Sequence, residues 1–136
     1  MISIEDRHWP LVIFRYRGEV SMADLEGCLT TQEEMILRNR PSVSLVLTED
    51  LKMWETAVLR RQAQWIKKHR QDLQRLSLGV ALVISSPVVR GTLRAVLYLQ
   101  PIPQPHVVVG SSDLAMPWLR TKLLEANLTA EIPERF

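Results

Sequence analysis

The sequence predicts an α/β domain of order βαβαβαβα, a four- to five-stranded, mainly parallel sheet flanked by helices. Three observations lead there. Short β-branched runs alternate with longer stretches of helical period, the pattern left by strand–helix–strand crossovers. Two of the runs, 78–84 and 107–109, are almost wholly apolar, as strands covered on both faces are. Turn and cap residues separate the runs: Gly18, Ser21, Pro41, Pro87, and the prolines at 101, 103 and 105.

Residues 9–16 form the first predicted strand, with Leu11, Val12, Ile13 and Phe14 nearly continuous and Gly18 breaking it. Its direction relative to the other strands is left open by the pattern. Ser21 and Asp24 then have the spacing of a capping box, in which each side chain bonds the other's backbone amide. Leu25, Leu29, Gln32 and Ile36 follow at helical spacing, widened by Cys28 and Met35, until Asn39 and Pro41 stop the helix. Residues 43–47 make a second strand, and 48–55, which have no period, make a loop. A single long helix is predicted over 56–76, with a stripe through Leu59, Ala63, Ile66 and Leu73. Residues 78–84 give the third strand. Ser86 and Pro87 open a helix to about residue 99, proline being well suited to the first helical position. The following prolines exclude both helix and central strand, and 107–109 form a short fourth strand. Ser111, Ser112 and Asp113 cap a last helix to about residue 126, with Pro117 placed in its first turn. Residues 1–128 thus read as one domain and 129–136 as a tail.

Composition bounds the function. At 136 residues and 46% hydrophobic, the chain has enough apolar material to fold without staples. A single cysteine, Cys28, permits no internal disulfide and no cysteine-built metal cage. Glu5, Asp6 and Arg7 occupy the stretch where a signal peptide carries its apolar core, and no apolar run approaches the ~20 residues that span a bilayer. A bacterial or eukaryotic cytoplasm is the expected compartment. The net charge of +2 gives no whole-molecule argument for nucleic acid.

The segment Phe14-Arg-Tyr-Arg-Gly-Glu-Val20 before a capped helix, and the closing Ser112-Asp-Leu-Ala-Met-Pro-Trp118-Leu119, resemble the SpoIIAA-like group of the STAS superfamily over residues 9–125. The resemblance implies a four- or five-stranded sheet with helices, no catalytic residues, and a role in protein–protein regulation or in holding a small apolar ligand. It also exposes a departure. Antagonists of anti-sigma factors carry an Asp-Ser-Ser/Thr-Gly turn whose hydroxyl is phosphorylated, and the corresponding residues 48–56 here contain no Ser-Gly pair. Glu49, Asp50 and Glu55 would repel an added phosphate. The phospho-switch therefore does not carry over, and Thr56 is expected to serve as a helix cap.

Candidate residues follow from chemistry and position. His8, His69 and His106 fall in three different elements, which gives no metal spacing. Cys28 lies on an apolar stripe and reads as a buried thiol. Glu33 and Glu34, adjacent on a helix, read as a solvated face. Glu49 and Asp50 sit at the carboxyl end of a strand, where open α/β sheets place their ligand crevice; with Trp54 they are the ligand-binding candidates. The 56–76 helix carries Arg60, Arg61, Lys67 and Lys68, a basic surface for an acidic protein partner and, less readily, for a membrane surface. Few aromatic residues interleave with these charges, so specific nucleic-acid recognition is not expected. The 88–99 helix is apolar nearly all round, and Val89, Leu93, Val96 and Leu97 are expected in a contact, most simply a homodimer. The main reading is a dimeric, non-catalytic interaction domain that uses no cofactor. Two alternatives stand beside it: a carrier of a small apolar or lipid ligand in a pocket beneath the 88–99 helix, and an enzyme relying on Glu49, Asp50 or His106.

Overall fold

The structure is a computed structural model that describes residues 1–128. The tail expected at 129–136 lies outside the described residues.

Five strands form one sheet in the spatial order of the chain: β1 (Ile2–His8), β2 (Leu11–Arg17), β3 (Ser42–Glu49), β4 (Ser77–Val83) and β5 (His106–Val109). β2 to β5 are parallel, and β1 pairs antiparallel with β2, Ile4 opposite Phe14. Right-handed crossovers that always step to the next strand in the same direction must leave their helices on one face. Accordingly α1 (Met22–Leu37), α2 (Thr56–Lys68), α3 (Arg70–Leu76) and α4 (Pro87–Leu99) make the crossovers, while α5 (Ser112–Glu125) covers the opposite face.

The strand period sorts residues between the two faces. On the α5 face, Leu11, Ile13, Val43, Leu45 and Ala81 are fully buried against Ala115, Met116, Leu119 and Leu123. On the other face, Val80, Leu82 and Ile84 meet Leu25, Leu29, Val58, Trp65, Val89 and Val96 from the crossover helices. A β-carbon on Gly79 would come within 2.7 Å of the Trp118 ring, so glycine is what lets α5 ride this close to β4.

Several expectations are met closely. The Ser21 hydroxyl accepts from the Asp24 amide at 3.0 Å and the Asp24 carboxylate from the Ser21 amide at 3.1 Å, completing the capping box. α4 starts at Pro87 as expected, with Ser86 at the N-cap position making no side-chain bond to the helix. Others are corrected. β1 is an additional strand, in a segment whose only strand signal is Ile2-Ser3-Ile4 and whose charges hide it; a cis Trp9–Pro10 bond joins it to β2. The 56–76 helix breaks at His69, which leaves the helical region at φ −102° and ψ 17°. The cap of α2 is Glu55, so Thr56 is its first helical residue and caps nothing. Pro117 lies in the second turn of α5, exposed, where the amide it lacks would have met Asp113 on the solvent side.

Candidate ligand-binding site

The inward residues of β3 are Ser42, Ser44, Val46 and Thr48, whereas its outward ones are Val43, Leu45 and Leu47. Small side chains at the centre of the sheet cannot reach the helices above them. The result is a pocket of about 210 Å³, partly open to solvent, between the sheet and α1, α2, α3 and α4. An apolar void of about 150 Å³ already holds benzene, so this one accommodates a larger molecule.

Its walls are mostly apolar. Phe14, Val46, Val80 and Leu82 rise from the sheet, and Ile36, Trp65, Ile66, Leu93 and Val96 close it from the helices. Arg40 and Asp72 are the only charged side chains among the residues lining it, both near the amino ends of β3 and β4. The side chain of Asp72 is paired with Arg75 at 3.1 Å.

Four polar atoms of the lining are buried without a hydrogen-bond partner: Trp54 Nε1, Gln62 Oε1, Ser77 Oγ and Gln104 Oε1. Such atoms are rare in folded proteins, since each loses its water without compensation. Other polar groups here are satisfied. The Thr48 hydroxyl donates to Val83 O at 2.8 Å, and that of Thr92 to Val88 O at 3.2 Å. The Trp54 ring lies 5.9 Å from that of Tyr16, whose phenol is pushed well above its ordinary range by burial and by the neighbouring Cys28. Burial also raises the Cys28 thiol, which accepts from Gln32 Nε2 at 3.3 Å; it is held protonated, unlike a nucleophilic thiolate.

The structure separates the three ligand candidates. Trp54 lines the cavity, but Glu49 and Asp50 do not. Thr48 takes the inward position, so Glu49 turns out to solvent and pairs with Arg17 at 3.2 Å; Asp50 is exposed in a left-handed turn at φ +48°. His106 opens β5, at the opposite end of the parallel sheet from Glu49. These groups therefore share no site. Among the described residues no three His, Cys, Asp or Glu side chains gather as a metal site.

The contact residues predicted on the apolar helix are corrected in the same way. Val89 and Val96 are buried and Leu93 and Leu97 half-buried, and all four line the cavity. The outward face of α4 instead presents Val88, Tyr98 and Leu99 together with Arg90 and Arg94. Of the basic candidates, Arg60, Lys67 and Lys68 are exposed, while Arg61 is bound within the chain to Glu26 of α1 and holds that carboxyl below its ordinary value. Glu33, whose side chain is 44% exposed, is also bound within the chain. It accepts from Trp65 Nε1 at 3.0 Å and stands 3.5 Å from His69 Nε2, within ion-pair reach although without a hydrogen bond.

Sequence reading missed Ser44, Gln62, Ser77 and Gln104. The signal for the first was present: in 42–48 the small polar residues fall on alternate positions, and on a strand covered on both faces that alternation leaves a gap. The others depend on how α2, α3 and the proline loop fold back, which no local pattern encodes.

This architecture is found elsewhere. An uncharacterised protein of the DUF3478 family from Shewanella loihica PV-4, described as having a SpoIIAA-like fold, is similar over 88% of this chain and 92% of its own, with a TM-score of 0.58 and 19% identity. The chain has the SpoIIAA-like α/β fold, a mixed sheet flanked by helices. No protein-family profile and no curated protein matches it.

Proposed function

We propose that this chain is a non-catalytic binding domain that encloses a small apolar molecule between its sheet and its crossover helices. The single observation that carries the reading is the cavity itself: mostly apolar, about 210 Å³, and bordered by buried polar atoms that have no partner in the protein. Apolar walls with a few convergent polar groups are the usual makeup of a small-molecule site. The test uses a dye that fluoresces in apolar surroundings, 1-N-phenylnaphthylamine, with wild type and Ser44→Leu. The larger side chain fills the void from the sheet side, so dye binding falls at least about tenfold while the melting temperature holds or rises. Equal binding by both proteins sinks the reading.

A second reading, docking of a protein partner or of a second copy, is favoured by the outer face of α4. Tyr98 is 90% exposed beside the exposed Leu99, Val88 is exposed at the other end of α4, and Met53 is exposed in the loop before α2. Adjacent exposed apolar side chains of this kind usually mark contacts. Arg60, Lys67 and Lys68 on α2 would add charge for an acidic partner. The two readings concern opposite faces of one helix and are compatible.

A further inference from the structure

We infer that the molecule held in the cavity is uncharged and carries a hydrogen-bond-accepting oxygen, a ketone, ester or ether, which Trp54 Nε1 binds. The inference rests on the cavity reading above and adds to it the chemistry of the ligand's polar group.

Trp54 is 8% exposed, lines the cavity, and keeps its indole N–H without a partner. An indole nitrogen is a donor only, so the one group that satisfies it is an acceptor. Nearby donors are directed elsewhere, Thr48 to Val83 O and Thr92 to Val88 O. Trp54 Nε1 is thus an unpaired donor on a residue that lines this end of the cavity.

Charge is argued from the walls. Arg40 and Asp72 line the opposite end, near the start of β3 and β4, whereas Trp54 follows the carboxyl end of β3. A carboxylate beside Trp54 would be stripped of water with no cation at that end of the cavity to replace it, Arg40 lying at the other, and an ammonium would meet a donor. A neutral acceptor incurs neither penalty. Gln62, in the helix that follows, reads no sign, because its amide can present oxygen or nitrogen.

The experiment measures displacement of the dye by 2-undecanone, undecane and undecanoate from wild type and Trp54→Phe. Loss of one neutral hydrogen bond weakens binding by about 5–10-fold. The expected result is that much weakening for 2-undecanone in Trp54→Phe, with undecane changed less than about twofold, and undecanoate weaker than the ketone on wild type. Equal weakening of ketone and alkane overturns the inference and leaves the cavity reading standing, as does undecanoate binding best. If neither neutral probe displaces dye, the cavity reading falls and this inference with it. On wild type alone, the Trp54 indole N–H resonance should move downfield with 2-undecanone and stay in place with undecane, a check that does not depend on the variant folding.

Discussion

Tyr16 and Cys28 lie side by side, and burial favours the protonated form of each in the folded protein. A group whose value is raised on folding stabilises the fold fully below its ordinary value and loses that contribution as pH climbs toward the folded value. The ordinary values are 9.0 for the thiol and 10.0 for the phenol, so thermal stability should begin to fall near the first and steepen through the second. In Tyr16→Phe the alkaline limb should be shallower, read from melting temperatures across that range; an unchanged slope would put the phenol in water. Residues like these show what the sequence made legible. Cys28 was readable as buried because it lies beside Leu25 and Leu29 on the apolar stripe of its helix. Trp54 stood out as a large side chain in a loop beside a strand end. Glu49 and Asp50 were misplaced because a carboxyl-end position says where a residue is, while the strand's parity decides which way it points.

Among the described elements, α5 has a particular burden, since no other helix of residues 1–128 covers its face of the sheet. Its closest approach is at Gly79, where an added methyl would stand 2.7 Å and 2.9 Å from two carbons of Trp118 and 3.2 Å from Lys122 Cγ. Trp118 is half-buried, with the Lys122 ammonium 5.4 Å over its ring, so it has some room to shift. Gly79→Ala should therefore destabilise by about 1–3 kcal/mol, the usual penalty of overpacking. Trp118→Leu should relieve part of it, giving non-additive urea midpoints in the double variant; strict additivity would place the strain elsewhere. The order of these elements was legible because each has its own period and punctuation. The break between α2 and α3 was not, because Leu73 continues the apolar stripe across it, and the Trp65–Glu33 bond beside the break joins residues far apart in the chain.

For the whole molecule, the sequential strand order puts four helices on one side and one on the other, and the sequence implied that imbalance only once the pairing was known. The helix expected to be apolar nearly all round is two-sided: one half of α4 is turned to the cavity, and the other bears Arg90 and Arg94 beside Tyr98 and Leu99. If that outer half closes on a second copy, light scattering at tens of micromolar should give a dimer mass for wild type and a monomer mass for Tyr98→Ser/Leu99→Ser. A monomer in both sinks the self-association reading and leaves the cavity untouched.

The small inward residues of β3 have a mechanical consequence. One side of the sheet meets α5 so closely that Gly79 admits no β-carbon, while the other borders unfilled volume, so the helical layer should be the more compressible half. Hydrostatic pressure favours states that eliminate voids, and its first effect should fall on the helical layer that carries Trp54 and Trp65, with Trp118 responding late. If a molecule fills that volume, as proposed above, the difference between the halves should shrink, and binding would then change the elasticity of the domain with no change in its fold.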